Sequence, residues 1–272
     1  SGRFRVGKSS NIIIRNFKIS GGADGIEIAR GHHVWIDHCD FNTSSDGQID
    51  MTYGADKVTV TWCKFSNHNK VMLIQNGKPN LSEDKGRFSV TLAHLFFNGT
   101  AQRHPRFGYG KLHVLNSYYK NLKRYGIHIF WGAQATIEGS YFENTPDAVS
   151  HHIKEGDGYL FYIKNKFDAI SKYSPAETDK EKIFNVDEYY MYDWMVIDAE
   201  KVPEIVGNGV GTGSEWSKLG PIPIPGQGAV NVSKNPTLKW TKAGGQAANK
   251  VYFGKTFPPP EAETVNGSSF RP

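Results

Sequence analysis

The feature that most constrains the fold is a nine-residue apolar pattern that occurs seven times between Asn11 and Phe167. Its second and fourth positions are almost always aliphatic, which is the alternation of a strand with one buried face. Successive copies start 22, 24, 32, 22, 23 and 25 residues apart. The ninth position forms an apolar column that consists of Ile19, Phe41, Phe65, Phe97, Tyr119, Phe142 and Phe167. Such a repeat predicts a solenoid of stacked coils.

Among repeat architectures, the pattern favours a parallel β-helix. A leucine-rich horseshoe needs a leucine and asparagine template that is absent here, and a β-propeller needs roughly 40 residues per blade. We therefore predict an all-β single domain over residues 1–272, with coils over about 11–167. A loop-rich C-terminal segment, 168–272, is predicted to pack on the coils and cap them. The longest offset contains a loop at Asn76–Arg87, and long loops on rigid scaffolds tend to carry function.

Composition excludes several classes of protein. The chain has 272 residues, 38% of them hydrophobic, so intrinsic disorder is not expected. No apolar run approaches the roughly 20 residues that span a bilayer. The N-terminus does not resemble a secretion signal, which predicts a mature or trimmed chain. A net charge of +5 suits a polyanionic partner, either nucleic acid or an acidic polysaccharide.

The two cysteines, Cys39 and Cys63, occupy the same column of adjacent coils. Two cysteines are too few for a disulfide framework or a four-thiolate zinc site. Their predicted spacing falls within the range of a disulfide, although parallel side chains make its torsion awkward. We favour two buried thiols over a bond.

A second column carries charged residues. The segments that begin at Asp24 and Asp46 both start with Asp-Gly, and they lie 22 residues apart. Lys70 follows 24 residues after Asp46, so stacking predicts that all three start successive strands of one sheet. Asp50 lies close by, and Arg103 precedes the next coil. Asp-Gly is also a common turn signal, so Asp24 and Asp46 could serve only as turn residues.

The acidic residues indicate a hard metal ion if they converge. Four extended residues span about 13 Å, so Asp46 and Asp50 share an ion only if Asp46 lies on the bend before the strand. Gly47 makes such a bend easy. Carboxylates that converge at a solvent face need a cation between them, and ligands that are all oxygen select Ca²⁺ over Zn²⁺.

Four motifs identify a family resemblance. They occur in the order Val34–His38, Ser45–Asp50, His68–Leu73 and Arg103–Arg106, and the last is followed by Gly110–Val114. Together they resemble the extracellular pectate lyases of plants and microbes. The resemblance implies a right-handed parallel β-helix that cleaves de-esterified homogalacturonan by β-elimination with Ca²⁺. It also implies a secreted, monomeric enzyme whose partner is polygalacturonate, rather than nucleic acid or a membrane.

The resemblance also implies roles for individual residues. Asp24, Asp46 and Asp50 match the calcium ligands, Arg103 matches the catalytic base, and Lys70 matches the cation that binds the substrate carboxylate. Arginine is normally protonated, so a neutral Arg103 would need nearby positive charge and alkaline pH. Physical chemistry alone would make Arg103 a carboxylate clamp.

Further residues belong to the same motifs. His68, His104 and Arg106 flank the cationic residues, and we expect them to contact substrate. Family members commonly carry a second arginine three residues after the motif proline, where this chain has Gly108. The pair Asp37–His38 lies in the main strand column, and we expect it to be a structural hydrogen-bonded pair.

Three alternatives remain open at this point. A pectin lyase acts on methylated substrate without calcium, but the retained aspartates argue against it. A polygalacturonase needs two carboxylates about 6.5–9.5 Å apart, a role that Lys70 and Arg103 fill poorly. An inactive homologue that binds pectin, or an allergen-like wall protein, is the third. Gly108 and the start of the chain close to the first coil keep this last alternative open.

Overall fold

The computed structural model consists mainly of three seven-stranded parallel sheets that wind around one core. It describes residues 4–76, 81–150, 156, 158–171, 180–190 and 192–214, together with short strands further along the chain. Neighbouring strands within a sheet come from successive coils, which is the arrangement of a parallel β-helix. The predicted fold class is therefore confirmed.

The three sheets, here called A, B and C, follow one another around each coil. Sheet A contains Phe4–Gly7, Ile26–Ala29, Gly47–Thr52, Lys70–Ile74, Arg106–Gly108, Tyr125–Phe130 and Asp147–Ser150. Sheet B contains Ser10–Arg15, His32–Asp37, Asp56–Thr61, Ser89–Ala93, Lys111–Leu115, Gln134–Glu138 and Tyr159–Ile163. Sheet C contains Lys18–Ile19, Asp40–Phe41, Lys64–Ser66, Phe96–Asn98, Tyr118–Lys120, Tyr141–Glu143 and Lys166–Asp168.

The nine-residue pattern supplies the strands of sheets B and C and the sharp bend between them. At the sixth position of the pattern the backbone is left-handed in every copy, with φ between 47° and 61°. The residues in this column are Asn16, His38, Trp62, His94, Asn116, Gly139 and Lys164. Asparagine and glycine adopt this conformation most easily, and they hold three of the seven positions.

The ninth position of the pattern forms a ladder of stacked rings inside the coils. Ring centroids of Phe41, Phe65, Phe97, Tyr119 and Phe142 are separated by 4.8, 4.9, 4.9 and 4.3 Å in turn. Consecutive rings are within 20° of parallel because the strands that carry them are stacked in register. The predicted apolar column is thus a continuous part of the core.

The described part of the C-terminal segment lies along the sides of the coils. It contains the helix α2 and four 3₁₀ turns, which are Val202–Gly209 (α2), Lys180–Lys182, Val186–Glu188, Asp193–Met195 and Ala199–Lys201. The short helix α1, Leu81–Asp84, lies earlier in the chain, between a strand of sheet A and a strand of sheet B. Val202 and Val206 of α2 pack on Phe96 and Tyr118 of sheet C. The capping of the coils by 168–272 stays a prediction, since most residues after 214 lie outside the described part.

Two short antiparallel pairs complete the described strands. They are formed by Leu238–Lys239 with Ser269–Phe270, and by Asn249–Tyr252 with Glu261–Val265. Cys39 and Cys63 are buried free thiols, as expected, and the Cys39 backbone N–H donates to Cys63 Sγ at 3.3 Å. Within the described residues, no helix is both long enough and apolar enough to span a membrane.

Candidate active site

The charged column predicted from the sequence lies where the chain enters the strands of sheet A. Lys70 begins one of these strands and pairs with Gly47, the first residue of the strand beneath it. Ile26 pairs with Ile49, so Asp24 lies level with Gly47 and not with Asp46. The predicted alignment of Asp24 with Asp46 is therefore wrong by one residue. Asp46 lies on the bend before the strand, as the sequence argument required.

Two of the predicted acidic side chains converge above Gly47. The Gly47 backbone N–H donates to Asp24 Oδ1 at 3.0 Å. A Cβ atom added at Gly47 would lie 2.2 Å from Asp50 Oδ1 and 3.3 Å from Asp24 Oδ1. Any larger residue at position 47 would thus collide with the Asp50 carboxylate. Gly47 leaves room for two carboxylates to face the same small volume.

The environment of Asp50 disfavours its negative charge. Burial, followed by the charge of Asp24, raises the pKa of Asp50 to about 7, although nearby Arg103 acts in the opposite direction. Asp50 Oδ1 is buried and accepts no hydrogen bond. Buried polar atoms are rarely left unpaired, so an oxygen of this kind is suited to bind a cation.

Lys70 and Asp46 form an ion pair at the edge of the same site. Lys70 Nζ donates to Asp46 Oδ1 at 2.8 Å, and both side chains are more than a third exposed. His68 Nε2 lies 2.5 Å from the Asp46 backbone carbonyl and 3.2 Å from Ser44 Oγ. Through these contacts His68 holds the bend that carries Asp46. The structure therefore gives His68 a positioning contact at the site.

Arg103 lies on a segment beside the Lys70 strand. Its backbone is left-handed, with φ of 67°, and the next peptide bond, His104–Pro105, is cis. The Arg103 carbonyl accepts from the Met72 N–H at 2.8 Å, and Gln102 forms a bridge with Lys70. Arg103 is half-buried, and its backbone is held on the coil that follows Lys70.

His104 lies inside the core and not at the groove. Its ring is fully buried, with Nε2 at 2.8 Å from Thr100 Oγ1 and Nδ1 at 2.9 Å from the Tyr125 carbonyl. Burial lowers the pKa of His104 to about 3, so the imidazole is neutral. Because both ring nitrogens are engaged inside the protein and the ring is fully buried, the predicted substrate contact of His104 is wrong, and its ring belongs to the core.

Acid should destabilise the fold through His104. The unfolded chain takes up a proton near pH 6.5, whereas folded His104 does so only near pH 3, so the free energy of unfolding should decrease as pH falls below 6.5. The effect is about 1.4 kcal/mol per pH unit for one such group. Urea unfolding of a His104→Gln variant between pH 7 and 4.5 should show a shallower pH dependence, by about one proton. The exposed His32→Gln variant should keep the parental slope, and equal slopes for all three proteins would contradict the assignment.

The column of sheet A that contains Asp50 continues in both directions. Glu27 pairs with Asp50 on one side, and its Oε2 lies 3.4 Å from Arg5 Nε. On the other side Leu73 pairs with both Asp50 and Arg106, so Arg106 lies two coils from Asp50 on the same outer face. The sequence argument missed Glu27, because it matched Asp24 with Asp46. With the observed offset of 23 residues, Glu27 aligns with Asp50.

Arg106 packs against an aromatic ring. It lies two residues before Gly108, the position at which family members commonly carry a second arginine. Its guanidinium carbon is 4.7 Å from the centroid of the Phe130 ring. Gly108 pairs with Phe130, and a Cβ added at Gly108 would lie 3.3 Å from both Gln75 Oε1 and Trp131. A side chain at position 108 would therefore need its neighbours to shift. Arg106 is a cation on the outer face of this short strand.

Asp37 and His38 form the expected structural pair, away from this site. His38 Nδ1 and Arg15 Nε each lie 2.7 Å from Asp37 Oδ2, and Thr61 donates to Asp37 Oδ1 at 2.7 Å. Burial acts to raise the pKa of Asp37, but these partners, His38 foremost, leave it lowered. The prediction of a buried hydrogen-bonded pair is confirmed.

The acidic side chains do not form a closed metal cage by themselves. In the part of the chain that the structure describes, no three carboxylate, imidazole or thiolate groups are arranged to hold a metal ion. Asp24 and Asp50 face each other, whereas Asp46 is turned toward Lys70. The carboxylates of Asp24 and Asp50 offer oxygen atoms only, which is the ligand type that a hard cation such as Ca²⁺ prefers.

Comparison with known proteins identifies the family. A sequence model described as pectate lyase matches residues 2–215, which is most of the chain. The chain belongs to the pectate lyase family. This family member is 30% identical over 242 residues to a pectate trisaccharide-lyase of Thermotoga sp. strain RQ2, covering 75% of the chain and 66% of that relative. It is 33% identical over 166 residues to pectate lyase B of Colletotrichum gloeosporioides, and this match covers 57% of the chain and 50% of that relative.

A solved structure gives the same result for the fold. A pectate lyase from Bacillus sp. N165, in complex with trigalacturonate, superposes with a TM-score of 0.68 at 27% identity. The match covers 78% of this family member and 71% of the solved chain. The chain spans about half to two thirds of the length of the curated relatives described above.

Proposed function

We propose that this family member is a calcium-dependent pectate lyase that cleaves de-esterified homogalacturonan by β-elimination. One observation carries the proposal: Asp24 and Asp50 converge over Gly47, and the cations Lys70 and Arg103 lie beside them. This combination suits a substrate that brings its own carboxylate, since the uronate would be held between a metal ion and positive side chains. The products would be 4,5-unsaturated oligogalacturonides.

Calcium fits the residues that are present. Asp50 Oδ1 is buried without a hydrogen bond, and it faces the same volume as Asp24 Oδ1. We propose Asp24 and Asp50 as ligands, with Asp46 as a third that would have to leave its ion pair with Lys70. When bound, calcium supplies electrostatic stabilisation for charge that develops on the uronate carboxylate.

The protein side chains would divide the remaining chemistry. Arg103 in its neutral form, at alkaline pH, accepts the proton from C5 of the uronate and becomes a guanidinium group. The C5–H electrons form the C4–C5 double bond, and the bond from C4 to the glycosidic oxygen breaks. The leaving oxygen takes up a proton from solvent to become a hydroxyl group. Once Lys70 exchanges Asp46 for the uronate, its ammonium group stabilises the carboxylate beside the carbanion-like centre.

Arg106 and His68 have supporting roles in this proposal. Arg106 lies on the outer face of sheet A, where it would bind a neighbouring uronate carboxylate in place of the arginine that Gly108 replaces. His68 would hold the Asp46 bend in place through its contacts with the backbone. Because its substrate is a polymer of the cell wall, we propose that the protein acts outside the cell, as a secreted monomer.

An ultraviolet assay on polygalacturonate tests the function directly. We expect unsaturated uronides to form at alkaline pH, their formation to stop with EDTA, and activity to return when Ca²⁺ is added in excess. Highly methylated pectin should be a poor substrate. Cleavage of methylated pectin that ignores EDTA would favour a pectin lyase, and new reducing ends without absorbance would favour a hydrolase.

A non-catalytic pectin-binding protein is the second candidate. Two observations favour it, namely Gly108 at the family's second arginine position and the lack of a three-ligand group among the described residues. Retention on a polygalacturonate affinity gel without release of unsaturated products, at any calcium concentration, would select this candidate and overturn the lyase.

A further inference from the structure

A second concave site lies at the opposite end of the same sheet. It has a volume of about 450 Å³, and we call it the basic pocket; its lining includes Arg30, His32, His33, Tyr53, Lys57 and Arg87. The strand Gly47–Thr52 connects the two regions, with Asp46 before it and Tyr53 after it. Six extended residues span roughly 20 Å, so the basic pocket is separate from the calcium-binding carboxylates.

The basic pocket contains more positive than negative groups. Its carboxylates are Glu83 and Asp56, and each is engaged inside the protein. Glu83 forms a forked ion pair with Arg30, at 2.8 and 3.1 Å from Nη2, and Asp56 Oδ1 accepts from the Ser89 N–H at 2.8 Å. Lys57 and Arg87 form no ion pair with any carboxylate in the described ranges. Two cations are thus available to a negatively charged ligand.

Aromatic and imidazole groups accompany these cations. Tyr53 is 43% exposed, and the Arg30 guanidinium carbon lies 4.5 Å from the centroid of its ring. The Nδ1 atoms of His32 and His33 are 2.7 Å apart, which places two further polar rings at the same rim. An exposed tyrosine ring next to these cations suits a ligand that has both an apolar ring face and a carboxylate, such as an acidic sugar, better than a small inorganic anion.

The wall of the basic pocket is held rigidly. The long offset in the repeat inserts residues 81–87 against the turn at Gly54, where an added Cβ would lie 2.4 Å from the Glu83 carbonyl. Buried Asp84 accepts from the backbone N–H groups of Gly54, at 3.0 Å, and of Asn76, at 3.2 Å. These bonds fix the segment that carries Arg87. A site with fixed walls loses little entropy when it binds.

We propose that the basic pocket binds the carboxylate of a uronate-containing oligosaccharide, through Lys57 and Arg87, with the sugar ring against Tyr53. The choice of a uronate over other carboxylated sugars rests on the proposed function. A polymer held here would be anchored about one strand length from the cleavage site. The protein would then stay on its polymeric substrate between cleavage events.

Binding of saturated trigalacturonate in the presence of EDTA tests this site. Chelation removes calcium-mediated binding at Asp24 and Asp50, and the remaining affinity is followed by titration calorimetry or by shifts in the NMR spectrum. Because Lys70, Arg103 and Arg106 are unchanged in the variant below, the part of this affinity that the variant loses reports the basic pocket. The double variant Lys57→Gln/Arg87→Gln should weaken this binding about tenfold or more. The control Lys18→Gln/Lys201→Gln removes the same charge from exposed positions elsewhere and should bind like the parent.

The results distinguish a uronate site from non-specific charge attraction and from a general anion site. Equal weakening in the two double variants would mean non-specific charge attraction, and tighter binding of inorganic phosphate than of trigalacturonate would mean a general anion site; either result overturns the proposal. If the parent shows lyase activity but the Lys57/Arg87 variant binds normally, this inference fails alone. If pocket binding is lost in that variant but no lyase activity exists, the proposed function fails alone.

Discussion

Replacing Arg103 with lysine should reduce kcat on polygalacturonate by at least about a hundredfold, with little change in folding. A proton acceptor must reach the C5 proton from a fixed backbone position. The backbone of Arg103 is fixed, since its carbonyl accepts from Met72 and its φ is 67°. Protonated lysine carries the same charge as arginine, but it has one nitrogen on a flexible stem in place of the planar fork, so it does not place an acceptor where the guanidine group would be. Initial rates of unsaturated-product formation at alkaline pH, with saturating calcium, measure the effect.

Two matched substitutions isolate the role of Arg103. Arg106→Lys should mainly raise KM, because its guanidinium group lies over Phe130 on the outer face of sheet A and is proposed to bind a neighbouring carboxylate. Exposed Arg124→Lys should leave both constants unchanged. Circular dichroism and Tm of all three variants should match the parent. A near-normal kcat for Arg103→Lys would remove Arg103 from its proposed role as base.

The fold could be predicted because its repeat is local and each repeat contributes the same positions to the core. The aromatic column from Phe41 to Phe142 appears directly in the sequence at a fixed position of each repeat, and the rings stack at 4.3–4.9 Å. The left-handed bends at the sixth position are less visible, because His38, Trp62, His94 and Lys164 occupy them alongside asparagine and glycine. Stacking against the neighbouring coils, and not intrinsic preference, holds those residues in place.

The alignment of the site residues on neighbouring coils could be predicted only to within one residue. Matching the two Asp-Gly pairs placed Asp24 level with Asp46, whereas the ladder pairs Ile26 with Ile49. The error arose because the bend at Asp46 adds a residue that sequence spacing does not reveal. Its consequence was that Glu27, which pairs with Asp50, went unnoticed.

Two features of the site depend on contacts between distant parts of the chain. His104 lies beside Arg103 in sequence, yet its ring points into the core toward Thr100 and Tyr125. The basic pocket forms because Arg87 from an inserted loop meets Tyr53 and Lys57, which lie around the turn between two strands of a neighbouring coil. Neither the direction of a side chain at a left-handed bend nor the path of an inserted loop follows from hydrophobic periodicity.

Replacing Asp50 with asparagine should change activity and stability in opposite directions. Asparagine lacks the negative charge of a metal ligand, so activity at a fixed low calcium concentration should fall by about a hundredfold. The pKa of Asp50 is raised to about 7, so the folded state holds this proton more tightly than the unfolded state does. Stability that comes from this group is present below pH 3.8 and is lost as pH rises toward 7. At pH 8 in EDTA, the asparagine variant should therefore have a Tm several degrees higher than the parent.

Calcium should reverse that difference, because the ion stabilises only the protein that binds it. Adding Ca²⁺ at pH 8 should raise the Tm of the parent and leave that of Asp50→Asn nearly unchanged. Apparent calcium affinity of the parent should also increase as pH rises through about 7, since the Asp50 proton competes with the ion. Asp187→Asn, at an exposed carboxylate far along the chain, should behave like the parent in every measurement. An Asp50→Asn protein that keeps calcium-stimulated cleavage would show that the ion is held elsewhere, and the convergence of Asp24 and Asp50 over Gly47 would then be only a structural feature of the bend.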